Sequence, residues 1–210
     1  MRSYKQHCGL AKTLDVVGDR WTLLIVRELL VRGDCRYTDL QRGLPGIATN
    51  LLADRLRDLE AAGILSCVAA TPPVATTLFR LTARGRQLER AIIELGRWGV
   101  PYLAEPDRHS VFRPHWLVLP LRMLLVDNRP ADAGIEIEVR AANEPITIAV
   151  ANGSVQVALG APQHAVASIS GMPQALLKVL SGRIAIRNAS GAGVTCRNES
   201  GLARVIPRRA

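Results

Sequence analysis

The hydrophobic residues between Gly46 and Gly63 recur at the spacing of an α-helix, with a turn residue at each end. One side of this predicted helix is apolar; it carries Ala48, Leu51, Leu52, Leu56, Leu59 and Ala62. The opposite side presents Asn50 and Arg57 with small residues between them. The pattern therefore predicts a helix that packs by one face and exposes an amide and a guanidinium on the other.

Three shorter helical patterns precede this helix, at residues 8–17, 20–32 and 36–44. Asp19 is placed to cap the second of them, and Tyr37 and Leu40 are expected to face inward from the third. Pro45 and Gly46 form a tight turn before the fourth helix. Short helices joined by such a turn predict a helix-turn-helix.

Two runs rich in β-forming residues follow, at 64–69 and 77–81. The segment 71–74 between them contains two prolines, which cannot donate to a β-ladder, so we predict the tip of a hairpin there. A hairpin directly after the fourth helix is a wing. Thr82 is then expected to cap one long helix over residues 83–98, of the kind that commonly packs against a second copy of the chain.

The second half of the chain changes to a period of two. A helix is predicted at 115–126, followed by strands near 135–139, 146–150, 155–159 and 165–170, a helix at 173–182, a strand at 193–197 and a helix at 199–206. Asn152 and Gly153 are a strong hairpin signal between two of the strands. We therefore predict an α+β fold class, with a winged helix-turn-helix domain at 1–105, a polar linker at 106–114 and an α+β domain with an antiparallel sheet at 115–210.

The chain of 210 residues carries a formal net charge of +9, which permits a polyanionic partner without identifying one. The most apolar run, residues 116–126, is shorter than the ~20 residues that span a bilayer. We expect a soluble, cytoplasmic protein with no membrane partner. No nucleophile–base pair, phosphate loop or cluster of metal ligands stands out in the sequence, so we predict no catalytic residue, cofactor or metal and expect a protein that is not an enzyme.

Several sequence blocks occur together and in order over residues 5–100. They read GDRWT, LxxxLPGI, LxxRLRxLE, AAGIL and LTxxG, where x is any residue. In this combination the segment resembles the HxlR-type winged-helix transcriptional regulators of bacteria. The resemblance implies a homodimer that binds a pseudo-palindromic operator in double-stranded DNA, with the fourth helix of each subunit in a major groove.

The resemblance also implies which side chains face DNA. It places Thr49, Asn50, Ala53 and Arg57 of the fourth helix toward the duplex, and Arg36, Thr38 and Gln41 near phosphates. Amide and guanidinium groups suit these roles because they pair with adenine and guanine edges in the major groove. Arg55 falls inside the apolar face of the helix, where a structural ion pair and a phosphate contact are both open.

Cys8 stands where many members of this family have a cysteine, and some of those members use it as a redox sensor. At a helix N-terminus near Lys5 and Lys12, its thiol is expected to have a lowered pKa. A role in packing alone is the alternative. Cys35, Cys67 and Cys196 are expected to be inert.

Residues 113–207 resemble the sterol-carrier-protein-like fold, which implies an apolar cavity between sheet and helices. The residues expected to line such a pocket are Trp116, Leu119, Met123, Ile148, Val157, Leu176 and Leu180. A small hydrophobic effector in this pocket would control the regulator. The alternative is that side chains fill the space and the domain only dimerises.

These observations favour a homodimeric DNA-binding regulator that acts as a repressor. The alternative function is a carrier of lipids or small hydrophobic molecules whose winged helix only dimerises.

Overall fold

The computed structural model describes residues 3–70, 76–103 and 111–207. The chain divides into two units, Met1–Val111 and Phe112–Ala210. The division falls within the segment predicted as a linker, most of which (residues 106–110) lies outside the described residues. Each unit has its own core.

Four helices open the first unit: α1 (Gly9–Val17), α2 (Thr22–Arg32), α3 (Tyr37–Gly43) and α4 (Thr49–Ala61). The predicted apolar face of α4 is confirmed for Leu52, Leu56 and Leu59, which are at most 3% exposed and pack in one core with Ile25 of α2. Ala48, in contrast, is exposed, because it is the N-cap of α4 and lies outside the helix proper.

Asp19 does not cap α2, contrary to the prediction. The helix begins at Thr22 with Trp21 as its N-cap, and there is no side-chain capping hydrogen bond from Trp21. The Asp19 carboxylate instead forms an ion pair with Arg55 of α4. A charged partner from another helix has therefore replaced the local capping interaction.

The predicted wing is present as two antiparallel strands, β1 (Leu65–Ala69) and β2 (Thr77–Leu81). Its predicted proline tip, residues 71–74, lies outside the described residues. The base of the wing is tied to the loop after α2, because Cys35 and Phe79 exchange two backbone hydrogen bonds of 3.0 and 2.7 Å.

Two helices, α5 (Ala83–Arg86) and α6 (Leu88–Gly99), take the place of the single long helix that we expected at 83–98. The predicted cap is confirmed, since the Thr82 hydroxyl accepts a hydrogen bond of 3.1 Å from the N–H of Gly85. The two helices separate at Gln87, whose N–H bonds to the carbonyl of Arg84 three residues back, which tightens the turn there. A 3₁₀ turn, Val100–Leu103, follows α6.

The second unit is a five-stranded sheet with helices packed on it. Its elements are a 3₁₀ turn (Pro114–Leu117), α7 (Val118–Leu124), β3 (Ile135–Ala141), β4 (Glu144–Ala151), β5 (Ser154–Leu159), β6 (Ala165–Gly171), α8 (Pro173–Leu180), two 3₁₀ turns (Ile186–Asn188 and Ser190–Ala192), β7 (Thr195–Arg197) and α9 (Glu199–Ala203). The strand order is β5-β4-β3-β6-β7. The Asn152-Gly153 hairpin is confirmed, because both residues have positive φ angles, of 52° and 76°, and join β4 to β5.

The sheet is mixed, so the prediction of a wholly antiparallel sheet was wrong. β6 pairs in parallel with β3, whereas the other strand pairs are antiparallel. The chain reaches β6 by crossing the polar face of the sheet at residues 160–164. Thr147 donates a hydrogen bond of 2.8 Å to the carbonyl of Gly160, and the Glu136 carboxylate accepts one of 3.2 Å from the N–H of His164. These polar side chains hold the crossover in place.

A buried ion pair joins the end of the second unit to the segment that follows α7 near its beginning. Arg204 donates to both carboxylate oxygens of Asp127, at 2.9 and 3.2 Å, and to the carbonyl of Ala133 at 2.6 Å. Asp127 also accepts from the N–H groups of Arg129 and Gly153. The hydrogen bonds from Arg204 are the largest cause that lowers the pKa of Asp127 from 3.8 to about 2.

This ion pair predicts how stability depends on pH. Because the folded pKa of Asp127 is lowered, the pair stabilises the fold fully above pH 3.8, and this stabilisation is lost as the pH falls through about 2. The Asp127→Asn variant should have a lower urea midpoint at neutral pH, measured by circular dichroism, and the difference from wild type should shrink as the pH falls.

The matched control is Glu94→Gln, whose exposed carboxylate lies 2.7 Å from Arg97 in the first unit. We expect little change in its urea midpoint at any pH, since exposed pairs contribute about 0–1 kcal/mol. Equal effects of the two variants would contradict the role given to Asp127.

Candidate nucleic-acid interface

The face of α4 opposite the core carries the side chains that were expected to contact DNA. Thr49 and Asn50 are exposed in the first turn, Ala53 is half-buried, and the Arg57 side chain is 76% exposed. The leucines on the other side of the helix fix this orientation. The structure therefore presents an amide and a guanidinium outward on one helix face.

Side chains of helix α3 form hydrogen bonds with the first residue of α4. Gln41 donates a hydrogen bond of 3.2 Å to the Thr49 hydroxyl, and the Tyr37 hydroxyl donates one of 2.6 Å to the Thr49 carbonyl. Arg36 and Thr38 are exposed at the beginning of α3. Gln41 and Thr49, two predicted interface residues from different helices, thus lie together.

Arg55 is held by carboxylates on both sides. Its side chain is 21% exposed; it pairs with Asp19 and lies 3.2 Å from Asp58. Its Nε atom is buried and has no hydrogen-bond partner in the described part of the chain. Of the two roles left open by the sequence, this geometry is that of the structural ion pair.

Arg57 pairs with Asp54, three residues earlier on the same exposed face. Both side chains are accessible to solvent, so the pair is screened and weak. Asp54 accepts from one nitrogen of the guanidinium, and the remaining N–H groups are available to a DNA phosphate or base edge.

A buried carboxylate that the sequence analysis did not assign to the site sets the spacing of α2 and α3. Glu28 is fully buried and receives hydrogen bonds from Arg27 at 2.8 Å and Arg32 at 3.3 Å. A Cβ atom at Gly43 of α3 would lie 2.2 Å from its carboxylate, so α3 approaches α2 through a glycine. The sequence signal that could have identified this buried carboxylate is an acidic residue on the inward side of α2, adjacent to Arg27 and four residues before Arg32.

A groove of about 760 Å³ lies beside α4 within the first unit. Its lining residues are Ser3, Tyr4, Leu14, Asp15, Gly18, Asp19, Asp54, Arg55, Arg57 and Asp58. The N-terminal segment forms one wall, because Ser3 and Tyr4 each donate a 2.8 Å hydrogen bond to Asp15. The sequence analysis did not predict this groove.

The predicted pocket of the second unit coincides with its core. Leu119, Ile148, Val157, Leu176 and Leu180 are at most 7% exposed, and Trp116 and Met123 are half-buried. Because these five side chains have almost no solvent-accessible surface, there is little room beside them even for a water molecule. This packing favours the alternative in which side chains fill the space.

Cys8 is exposed, and its pKa is lowered by hydrogen bonds from the backbone N–H groups of Ala11 and Leu10 at the start of α1. The backbone of the helix, and not the charge of Lys5 or Lys12, is thus the cause. Burial raises the pKa of the other three thiols, Cys35, Cys67 and Cys196, and that of Cys35 to about 12.

Residues 3–70, 76–103 and 111–207 contain no group of three His, Cys, Asp or Glu side chains placed to hold a metal ion. They also contain no helix that is long and apolar enough to cross a bilayer.

These pKa shifts predict the order of thiol reactivity. Cys8 should react with iodoacetamide at pH 7 faster than Cys67, because both are exposed but only Cys8 has a lowered pKa and hence more thiolate. Cys35 should react slowest. Mass spectrometry of peptides over a time course measures the four rates, and equal rates for Cys8 and Cys67 would show that exposure alone controls them.

Comparison with known proteins gives the family of the first unit. A family model described as HxlR-like helix-turn-helix matches residues 16–107. Rv3095 of Mycobacterium tuberculosis, an uncharacterized HTH-type transcriptional regulator, is 40% identical over 47% of this chain and 61% of its own length. This chain thus spans about three fifths of the length of that mycobacterial relative.

Two relatives with the same description are matched over more of their length. The protein sll1512 of Synechocystis is 32% identical over 47% of this chain and 72% of its own length. YkvN of Bacillus subtilis is 32% identical over 49% of this chain and 86% of its own length. The chain belongs to the HxlR-like family of helix-turn-helix transcriptional regulators, whose members are not enzymes.

Proposed function

We propose that this protein is a repressor that binds a pseudo-palindromic operator as a homodimer, with α4 of each subunit in a major groove. The observation that carries the proposal is the exposed face of α4, where Asn50 and Arg57 stand outward above small side chains. Asn reads adenine and Arg reads guanine by paired hydrogen bonds. Arg36, Thr38 and Gln41 supply phosphate contacts from α3.

The dimer is supported by an apolar surface that α6 and the following turn leave exposed. Every residue of α6 is at least partly accessible within its own subunit, and Leu95 and Trp98 are more than half exposed. The ring of Tyr102 packs beside Trp98, with centroids 5.3 Å apart and planes tilted by 54°, and is also exposed. A second copy of the chain would bury this surface, since apolar burial contributes about 25 cal/mol per Å².

Control of DNA binding follows from the geometry of the dimer. Two recognition helices must lie about 34 Å apart to enter successive major grooves. An effector that binds a dimer of different geometry would release DNA. A small hydrophobic molecule in the second unit is one such effector, although its filled core would first have to open.

Oxidation or alkylation of the Cys8 thiol is the second route of control. Cys8 is exposed and its pKa is lowered, so it meets the chemical requirements of a sensor. The alternative function of a lipid carrier is disfavoured by the same filled core.

The base-reading role of α4 predicts a loss of sequence preference. Asn50→Ala and Arg57→Ala should each weaken binding to the operator by about 1–3 kcal/mol per base contact while changing binding to a scrambled duplex much less. Fluorescence anisotropy with both duplexes, at several salt concentrations, measures the difference.

Arg140→Ala is the matched control, because Arg140 is exposed and paired with Glu138 on the sheet of the second unit. It should leave the preference for the operator intact. Unchanged selectivity in the α4 variants would remove the proposed interface.

The dimer surface predicts a change in oligomeric state. Trp98→Asp should shift the protein toward the monomer in sedimentation velocity, because a charge replaces a 70% exposed indole of the proposed interface. Val166→Asp, at an exposed apolar residue of the second unit, is the control and should leave the dimer intact. If both the Trp98→Asp variant and a Leu95→Asp variant remain dimers, the interface lies elsewhere.

A further inference from the structure

Asp54 lies in the middle of the exposed face of α4, where it pairs with Arg57 and borders the groove beside the helix. It follows Asn50 by four residues and precedes Arg57 by three, so the three side chains form one row along the helix. Its side chain is 48% exposed and its carboxylate accepts a hydrogen bond from the Arg57 guanidinium.

This carboxylate has two effects on the guanidinium. The bond to Asp54 uses one N–H of the Arg57 fork and limits the rotamers of a long, mobile side chain. The remaining N–H groups are the donors that the O6 and N7 atoms of a guanine accept in the major groove. A held guanidinium loses less conformational entropy when it binds a base.

The same carboxylate also acts on the DNA. An aspartate oxygen accepts a hydrogen bond from the N4 amino group of cytosine, a group that adenine–thymine pairs do not present in the same position. Toward phosphates its charge is repulsive. In a chain with a net charge of +9, which attracts any duplex, one negative charge in the row weakens binding wherever no amino group of a base faces it.

We propose that Asp54 is a specificity-determining residue of the interface: it orients Arg57 toward a guanine, accepts from a neighbouring cytosine and disfavours other sequences. This inference rests on the proposed function, because it requires α4 to enter the major groove. In the proposed function the base-reading groups of this row were the amide of Asn50 and the cation of Arg57. The inference adds the negatively charged Asp54 to them.

The test compares full-length wild type with Asp54→Asn, which keeps the shape of the side chain and removes its charge, and with Asp54→Glu, which keeps the charge. Each protein selects binding sites from a library of random double-stranded DNA. Dissociation constants are then measured for the selected duplex and for a scrambled duplex of the same composition. Asp132→Asn is the control, since it removes the same charge from an exposed Asp–Arg pair in the second unit.

Wild type is expected to select a two-fold symmetric site with a cytosine–guanine or guanine–cytosine step in each half. Asp54→Asn should bind the scrambled duplex more tightly and lose preference at that step, so that the ratio of the two dissociation constants falls about tenfold or more. Asp54→Glu should keep part of the ratio, and Asp132→Asn all of it.

The inference is overturned if Asp54→Asn selects the same site with the same ratio as wild type, or if Asp132→Asn lowers the ratio equally. A wild-type protein that selects no symmetric site would instead overturn the proposed function. Circular dichroism of each variant shows whether the helical content is retained, and Asp54→Ser replaces Asp54→Asn if that variant does not fold.

Discussion

The burial of three leucines on one side of α4 is the interaction on which the candidate interface depends. Leu52, Leu56 and Leu59 are almost completely removed from solvent, and burying a leucine stabilises a fold by about 1.5–3 kcal/mol. Rotating α4 to hide Asn50 and Arg57 would expose all three. The hydrophobic core therefore determines which side chains the helix offers to a partner.

Charges on that helix are arranged so that the arginines are paired before any ligand arrives. Arg55 lies between Asp19 and Asp58 in a half-buried position, where removal of one carboxylate would leave a poorly solvated cation. Arg57 and Asp54 form a similar pair in the open, where each such interaction contributes at most about 1 kcal/mol. Burial therefore distinguishes a structural arginine from a solvent-accessible one, two residues apart on the same helix.

Elements governed by local periodicity could be predicted from the sequence, whereas those decided by distant partners could not. The leucine face of α4, the Thr82 cap and the Asn152-Gly153 turn depend on neighbouring residues, and all three are present. The parallel pairing of β6 with β3 depends on a crossover that bonds to Glu136 on a distant strand. Likewise, Asp19 was a plausible cap until Arg55, brought close by folding, offered a charged partner.

The proposed operator binding gains from a second copy of the chain, because the base contacts of one α4 helix contribute only part of the affinity. Asn50 and Arg57 together contribute a few kcal/mol at about 1–3 kcal/mol per base contact, whereas specific protein–DNA complexes have dissociation constants of about 10⁻⁸ to 10⁻¹¹ M. Joining two such helices makes the second contact intramolecular and multiplies the affinity. The exposed indole of Trp98 and its apolar neighbours on α6 are the surface in the first unit best suited to join them. In the proposed dimer, operator recognition and the burial of this surface would be two consequences of one assembly.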